Sequence, residues 1–419
     1  MRRPIQHMIL AILAALLLAG GLSAQTALTW RQVREKFQTA NPSLLAGQIG
    51  IEESKAAEVT AFLRPNPTVT ASLDQIDLFS GNPYRPLGLA LPLVSFSYLH
   101  ERQHKRELRL ESAQKATSIT MSQQSDLERT MLFSLRSAFV QVLQAKQVLA
   151  LAKDNLEYFD RELVISRSRL KAGDIAQVDL DRLELQRVQY ESDFESATVN
   201  LRSAKIVLLT LLNERTPIEQ FDVAGAFESG EKIEPLDTFH TIAQETRPDL
   251  KAAVQTIEKA RTDYKLAVAN GTADPTFSID FARNPPIPVY FGLSVNVPLR
   301  IFDRNQGEKE RTRLDIGHAE RMHDAAVAQV FGDVDSAYVT LVSSVNLLHA
   351  YKVKYLATSL RVRDSVAYAY QHGGAALVDF LDAQRDYRAV QVAYLNLTGS
   401  YLTAVGQLNL AVGREAIDY

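Results

Sequence analysis

The sequence repeats itself, and this duplication limits the possible folds more than any other feature. Four segments of the first half recur in the same order in the second half, at offsets of 200 to 208 residues. The pairs are NPSLLAG (41–47) with RPDLKAA (247–253), RPNPTVTASLD (64–74) with TADPTFSIDFA (272–282), LALPLV (89–94) with VNVPLR (295–300), and AGDIAQVDLDRLEL (172–185) with GGAALVDFLDAQRD (373–386). Ordered recurrence indicates a tandem repeat. Each half is therefore expected to form a helix, two strands, a long helix, a tight turn and a returning helix.

The duplication predicts where the parts of the chain begin and end. The expected parts are a signal peptide (1–24), a first repeat (25–212, strands near 66–98, hairpin tip near 173), a linker with some structure of its own (213–240), a second repeat (241–413, strands near 275–300, tip near 373) and a short tail (414–419). Prolines and glycines in 213–240 support the linker, because both residue types interrupt regular structure.

Each long helix carries a seam of apolar or small residues at alternating spacings of three and four. In the first half the seam is Met131, Leu135, Ala138, Val142, Ala145, Leu149, Ala152, Leu156, Phe159, Leu163, Ser166 and Leu170. In the second it is Val334, Ala337, Leu341, Ser344, Leu348, Tyr351, Tyr355, Thr358, Val362, Ser365 and Ala369. Such spacing is typical of coiled coils. A helix from about 100 to 170 would be ~105 Å long, which no compact globular domain accommodates.

The glycines that follow these helices predict helical hairpins. Gly173 and the pair Gly373–Gly374 come where a helix C-terminus requires a residue with positive φ. The next helix is then expected to return antiparallel to the first, so that each glycine motif forms a hairpin tip far from the strands.

The predicted strands are short and alternate with period two. Phe277, Ile279 and Phe281 alternate with polar residues, as do the odd-numbered residues from Val289 to Leu299. In the first half, Leu91 and Leu93 are expected on the apolar face. Outer-membrane strands alternate in this way, and so do the strands of a soluble, half-buried sheet, so periodicity alone leaves both open.

The N-terminus resembles a leader for export. Arg2 and Arg3 precede an apolar run, and small residues precede Gln25, which is the pattern of a cleaved secretory signal; an uncleaved membrane anchor is the alternative. Without the leader the net charge changes from −3 to −5, so there is no electrostatic case for nucleic-acid binding. The sequence contains no cysteine, which excludes disulfides and lipidation at Cys. No later segment is a candidate transmembrane helix.

No catalytic or cofactor motif is found in the sequence. There is no Walker loop, dinucleotide-binding glycine motif, HExxH or nucleophile elbow, so neither an enzyme nor a cofactor is expected. His100 and His104 have the i,i+4 spacing of helical metal ligands, but no third ligand is evident. No metal site is predicted.

The motifs together resemble the TolC family of outer-membrane efflux channels. The resemblance is carried by the two hairpin motifs, the two NP/RP repeat starts and VNVPLRIFDRNQGEKERTR (295–313), and it covers nearly the whole mature chain. The last stretch is similar to the signature of the CzcC-like, heavy-metal branch. The resemblance implies a mainly α fold with a small β part: a long coiled-coil helical barrel, and four strands per protomer in a trimeric, 12-stranded transmembrane β-barrel.

The resemblance also implies a location, partners and a role. The location is the outer membrane of a Gram-negative cell, extending into the periplasm. The partners are two further copies in a homotrimer, outer-membrane lipid, a periplasmic adaptor and an inner-membrane RND pump. The role is a passive exit duct, for heavy-metal cations or, as an alternative, for drugs and organic solutes. A secreted coiled-coil structural or adhesion protein and a periplasmic metal-binding chaperone are the hypotheses from other classes.

Three aspartates correspond to the family's pore gate. Asp379 and Asp382 match the gate carboxylates of the second repeat, and Asp179 matches the acidic position of the first. A ring of carboxylates favours cations. Aspartate at a helix start also simply complements the helix dipole, which is the structural alternative. The arginine that drug-efflux members carry four residues before the first gate aspartate is replaced by Ala375, so a lock built on it must be absent or constructed differently.

The residues of the two tips are the expected docking points for the adaptor. They are Gly173, Asp174, Ile175, Ala176, Gly373, Gly374, Ala375 and Ala376. Most are small enough for close packing of helix ends, and simple turn chemistry explains them equally well.

Overall fold

The structure is a computed structural model that describes residues 27–417 except 77, 80–82, 84–85, 88–89, 229, 231–232 and 285–286. The predicted signal peptide lies outside the described residues. The helices are α1 Trp30–Ala40, α2 Pro42–Phe62, α3 Lys105–Ala172, α4 Gln177–Leu211, α5 Leu236–Thr246, α6 Pro248–Asn270, α7 Gln306–Ala350, α8 Leu356–Gln371 and α9 Leu377–Val412. The strands are β1 Thr68–Asp74, β2 Leu91–Leu99, β3 Thr276–Asn284 and β4 Ile287–Asn296. The fold is thus mainly α with one small sheet, as the sequence predicts.

The chain forms two compact units, and both halves of the sequence contribute to each. One unit, the sheet unit, consists of residues 46–126 and 247–329. The other, the tip unit, consists of the described residues of 27–45, 127–246 and 330–417. Among the described residues, no helix is both long enough and apolar enough to cross a bilayer.

The four strands of the sheet unit form one antiparallel sheet in the order β1-β2-β3-β4. The two halves meet at its centre, where Val94 of β2 lies opposite Phe281 of β3 and Phe96 lies opposite Ile279. The outer strands β1 and β4 each have a second edge that pairs with no described strand.

One face of this sheet is apolar and exposed. Because side chains alternate along a strand, the pairing collects on that face Val69, Ala71, Leu73, Pro92, Val94, Phe96, Tyr98, Phe277, Ile279, Phe281, Phe291, Leu293 and Val295. Leu293 is 84% exposed and Phe291 75%. The opposite face is mainly Ser, Thr, Asp and Asn. Exposed apolar surface of this extent on one side of a sheet indicates an apolar environment there.

The predicted phase of the second strand was wrong. Leu91 and Leu93 lie on the mainly polar face, whereas Pro92 and Val94 lie on the apolar face. The segment contains apolar residues in both phases, and a shift of one residue moves every side chain to the other face. Pairing of Val94 and Phe96 with the aromatic and branched residues of β3 decides the phase.

Each long helix begins directly after a residue with positive φ. His104 (φ 53°) precedes α3 and Asn305 (φ 62°) precedes α7. Asp303 Oδ1 accepts a hydrogen bond of 2.8 Å from the Asn305 N–H, and Asn305 Nδ2 donates to the Ala267 carbonyl at 2.8 Å. The FDRNQGE motif therefore builds the turn that connects β4 to α7 and attaches it to α6.

The core of the tip unit confirms the first seam. Leu135, Ala138 and Val142 are buried in a cluster with Val33 and Phe37 of α1. All twelve predicted positions of this seam are buried or half-buried. The predicted linker contributes as well, because Phe221 and Val223 belong to the same cluster.

The second seam is correct up to Tyr351, which is half-buried. A π-helical turn, Tyr351–Tyr355, separates α7 from α8. It contains one residue more than an α-turn, so the inward positions that follow are displaced by one, to Leu356, Ser359, Arg363, Val366 and Tyr370. Two predicted seam residues, Tyr355 and Val362, are instead 43% and 47% exposed.

The displaced seam predicts which truncations destabilise the protein. Leu341→Ala removes a fully buried side chain and should lower the free energy of unfolding by about 2–5 kcal/mol. Val362→Ala, at a predicted but exposed position, should change it by about 0.5 kcal/mol or less. Thermal unfolding followed by circular dichroism measures both, and equal losses would contradict the displaced seam.

Adjacent glycines at the second tip offer a matched test of backbone strain. Gly373 has φ 77°, so Gly373→Ala should destabilise by roughly 1–2 kcal/mol, the cost of a left-handed alanine. The Gly374 backbone lies outside that region, and an added Cβ would meet only an ordinary contact of 3.5 Å. Gly374→Ala should therefore leave the melting temperature nearly unchanged, and the opposite ranking would contradict the tip geometry.

Candidate functional site at the hairpin tips

The first tip joins α3 to α4 through a glycine-capped turn. Gly173 has φ 85°, and its N–H donates to the Leu170 carbonyl at 3.0 Å. The Asp174 N–H donates to the Arg169 carbonyl at 2.9 Å. The two bonds satisfy carbonyls that the helix end would otherwise leave unpaired.

The second tip, between α8 and α9, repeats this geometry 200 residues later. The Gly373 N–H donates to the Tyr370 carbonyl at 3.2 Å, and the Gly374 N–H donates to the Ala369 carbonyl at 2.7 Å. The same offset relates Ala176 and Ala376, which precede the first turns of α4 and α9. Both glycine motifs therefore form hairpin tips with the same backbone, and the left-handed glycines predicted from the sequence are Gly173 and Gly373.

A shared apolar cluster holds the two hairpins together. Phe159 stacks on Tyr190 with ring centroids 4.5 Å apart, and Tyr370 stacks on Phe380 at 4.9 Å. Both pairs belong to one buried cluster with Leu163, Leu180, Leu183, Ala367 and Leu377. The two hairpin tips therefore lie at the end of one shared hydrophobic core.

An open depression of about 650 Å³ lies between the tips. Its lining includes all the predicted tip residues except Gly374, together with Asp179, Arg169, Arg182 and Tyr370. Asp379 and Asp382 do not line it. The structure thus brings Asp179 to the surface shared by both hairpins and leaves the other two aspartates on the exposed side of α9.

Asp379 caps its own helix. Its Oδ2 accepts a hydrogen bond of 3.2 Å from the Ala376 N–H, in the first turn of α9. This is the helix-start role that the sequence leaves as an alternative, and it also fixes the orientation of the carboxylate. A capping carboxylate remains an exposed negative charge, so the contact is compatible with a second role.

Asp382 is paired with an arginine one turn later. Arg385 Nη1 lies 3.2 Å from Asp382 Oδ1, and Arg385 Nη2 lies 3.3 Å from Asp386 Oδ1. The Arg385 guanidinium therefore forms ion pairs with two carboxylates on the same helix. The sequence contains this arginine within the hairpin motif, and the i,i+3 spacing was the signal by which it could have been found.

Asp179 is half-buried next to Tyr370. Burial raises the pKa of the Tyr370 hydroxyl, the Arg169 charge opposes this, and the negative charge of Asp179 raises that pKa further. The hydroxyl is buried, and a hydrogen bond with the Ser166 side chain lowers its pKa.

Arg169 provides the contact between hairpins that the sequence did not reveal. Its Nη1 donates to the Tyr370 carbonyl at 3.2 Å, and its guanidinium lies 5.1 Å from the centre of the Tyr370 ring. The bond joins the last turn of α3 to the C-terminal end of α8, where a cation is favoured. Ala375 lacks the side chain for such a link, and the first hairpin supplies an arginine instead.

Two further polar contacts join the hairpins farther along the helices. Arg388 of α9 lies 3.1 Å from Asp193 of α4 (Nη1 to Oδ2) and over the Tyr190 ring. Gln371 Nε2 donates to the buried Glu162 carboxylate at 3.2 Å. Burial raises the pKa of Tyr190 to about 12, so this tyrosine is neutral at physiological pH.

The residues that the structure describes contain no group of three potential metal ligands. The sequence suggested that His100 and His104 lie one turn apart on a helix. That suggestion is wrong, because both residues precede α3. His104 has a left-handed backbone, and its Nδ1 lies 4.0 Å from the Glu107 carboxylate.

Comparison with known proteins identifies relatives along most of the chain. Residues 241–414 match the family model described as Outer membrane efflux protein. The cobalt-zinc-cadmium resistance protein CzcC of Cupriavidus metallidurans is 23% identical over 326 residues, 74% of each chain. The outer membrane protein TolC of Escherichia coli is 22% identical over an alignment that covers 96% of this chain and 85% of TolC.

The architecture has solved counterparts. The crystal structure of CusC superposes with a TM-score of 0.77 at 16% identity and covers 92% of both chains. That likeness shows the fold, and the family match and the relatives agree with it. Residues 241–414 therefore belong to the outer membrane efflux protein family, and the described chain has the TolC-like fold.

Proposed function

We propose that the protein is the exit duct of a tripartite efflux system, in which three copies form one passive channel for heavy-metal cations. A periplasmic adaptor and an inner-membrane RND pump deliver the substrate and supply the energy. The duct itself catalyses no reaction. The exposed apolar face of the sheet is the observation that carries this proposal.

The apolar face of the sheet and the free edges of β1 and β4 must each be covered by a different kind of partner. Lipid is the environment that stabilises Phe291 and Leu293, at 75% and 84% exposure. Unpaired strand edges in lipid cost several kcal/mol for each unsatisfied backbone group, so β1 and β4 must pair with other strands. Pairing β4 of each copy with β1 of the next closes twelve strands from three copies, which is a size known for outer-membrane barrels.

In this proposal the hairpin tips form the periplasmic entrance. Arg169 holds the first hairpin to the end of α8 through the Tyr370 carbonyl, and it acts as the lock that Ala375 cannot provide. Opening at the tips then requires the loss of this hydrogen bond and its cation–π contact, while the contacts farther along the helices, Arg388–Asp193 and Gln371–Glu162, hold the rest of the hairpins together.

Asp379 and Asp382 select for cations at this entrance. In a trimer they would supply six exposed carboxylates, and such rings attract cations and exclude anions. Arg385 moderates the effect by neutralising Asp382 and Asp386 in turn, so the ring attracts cations without retaining them.

The choice of heavy-metal cations as cargo rests on two lines of support. The segment 295–313 resembles the heavy-metal branch, and CzcC, a cobalt-zinc-cadmium resistance protein, is 23% identical over 74% of this chain. The adaptor is proposed to dock at the tip depression of about 650 Å³, which small residues of both hairpins leave open.

Replacing the gate aspartates with neutral residues should change how the channel responds to cations. Asp379→Asn with Asp382→Asn keeps a capping side chain at 379 and removes the charges. We expect a higher conductance in planar bilayers and a weaker block by Zn²⁺, by roughly tenfold or more for two lost charges. Asp154→Asn, an exposed position on α3, is the control and should leave both unchanged. Equal block in all three proteins would contradict the gate.

The Arg169 lock has a matched control two residues away. Arg169→Gln removes this link between the tips and should raise the ratio of open to closed channels by roughly tenfold or more, because a charged hydrogen bond is worth about 1.5–3 kcal/mol. Arg167→Gln removes an equal charge whose partner, Glu184, lies within the first hairpin at 2.9 Å. That variant should gate like the wild type. Identical open probabilities in the two variants would exclude Arg169 as the lock.

A further inference from the structure

A second depression, of about 470 Å³, lies in the sheet unit where β2 passes into α3. Its walls come from Arg64 and Pro65, which precede β1, and from Tyr98 and the segment 100–107. The size suits a small polar group. Neither the gate nor the adaptor site uses any of these residues.

The depression carries positive charge that the protein does not neutralise. Arg64 and Arg102 are exposed, and neither makes an ion pair with a carboxylate of the described residues. The two carboxylates in the walls are already engaged: Glu101 binds Arg109, and Glu107 Oε1 lies 2.8 Å from Arg106 Nη2. Paired guanidinium groups are well suited to bind a phosphate.

The depression adjoins the apolar face of the sheet. Tyr98 belongs to both, because it lies opposite Phe277 on that face and lines the depression. Phe62 and Leu63, at the end of α2, are 44% and 61% exposed next to Arg64, and the Arg106 guanidinium lies 4.3 Å above the Phe62 ring. Tyrosine between apolar and charged surface is typical of the membrane–water interface.

The start of α3 is held firmly beside this surface. Lys105 is buried, and its Nζ lies 2.6 Å from Asp274 Oδ2. The Arg102 N–H donates to Asp274 Oδ1 at 2.9 Å. Asp274, from the second repeat, therefore fixes the backbone of Arg102. Because this backbone is already ordered, ligand binding would cost little conformational entropy there.

We propose that this depression binds the phosphate of an anionic phospholipid headgroup, with the acyl chains lying along the apolar face of the sheet. The inference deepens the proposed channel function and rests on it, since the face must be in lipid. Free phosphate shares the chemistry of the headgroup, but it leaves the exposed apolar surface of Phe62 and Leu63 in contact with water. The apolar side chains beside the depression, together with Tyr98 on the apolar face of the sheet, therefore assign the lipid.

Native mass spectrometry of the delipidated, detergent-solubilised full chain tests this site. The probes are phosphatidylglycerol, zwitterionic phosphatidylcholine and inorganic phosphate. The test variant is Arg64→Gln with Arg102→Gln. The control is Arg313→Gln with Arg321→Gln, two arginines of α7 in the same unit that are 58% and 86% exposed.

We expect phosphatidylglycerol to bind the wild type and the control equally, and the test variant about 30-fold more weakly, from ~1 kcal/mol for each arginine. Phosphatidylcholine should bind more weakly to all three. Equal affinity of the test variant and the control for phosphatidylglycerol would overturn the site. Inorganic phosphate that binds the wild type as tightly as phosphatidylglycerol would overturn the assignment to lipid.

Conductance in planar bilayers separates this inference from the channel function. Wild type and test variant should conduct equally, because the arginines lie outside the entrance formed by the tips. Normal conductance with unchanged lipid affinity would reject the lipid site alone. Absence of conductance in the wild type would reject the channel and, with it, the basis of the lipid site.

Discussion

The four-stranded sheet cannot be stable as one chain in water, and the rest of the account depends on that constraint. Its pairing collects the large apolar side chains of all four strands on one face, and β1 and β4 each have a free edge. Lipid can cover the apolar face, but only further strands can pair with the backbone N–H and C=O groups of the two edges. The proposed exit duct, the proposed trimer and the proposed headgroup site all follow from this one surface.

The tips show how a duplicated sequence builds two equal ends and then distinguishes them. Gly173 and Gly373 form the same capped turn. The side chains differ: the first tip supplies Arg169, and the second supplies the carbonyl and ring of Tyr370 that Arg169 contacts. The asymmetry makes a cross-link between hairpins that a symmetric pair of tips would lack. Because its free energy is small, the contact is suited to being broken when a partner binds.

The sequence was sufficient where a local rule determines the structure. The first seam and the two tip glycines follow from heptad spacing and from the needs of a helix end. The phase of β2 did not follow, because residues 91–99 are apolar in both phases and only pairing with Phe281 and Ile279 decides between them. The π-turn at Tyr351–Tyr355 has no hydrophobic signature, so the seam beyond Tyr351 was misplaced by one residue. Arg169 was missed because its acceptor is a backbone carbonyl 201 residues away, which no pattern of side chains reports.

The mass of the purified protein with and without detergent tests the central claim most directly. The mature chain is predicted to be a trimer in detergent, by native mass spectrometry or light scattering, and to aggregate when detergent is removed. That outcome follows if the apolar face requires lipid and the strand edges require neighbouring copies. A protein that is monomeric and monodisperse in detergent-free buffer would contradict the account, because its sheet would then be stable in water with an exposed apolar face and two free edges.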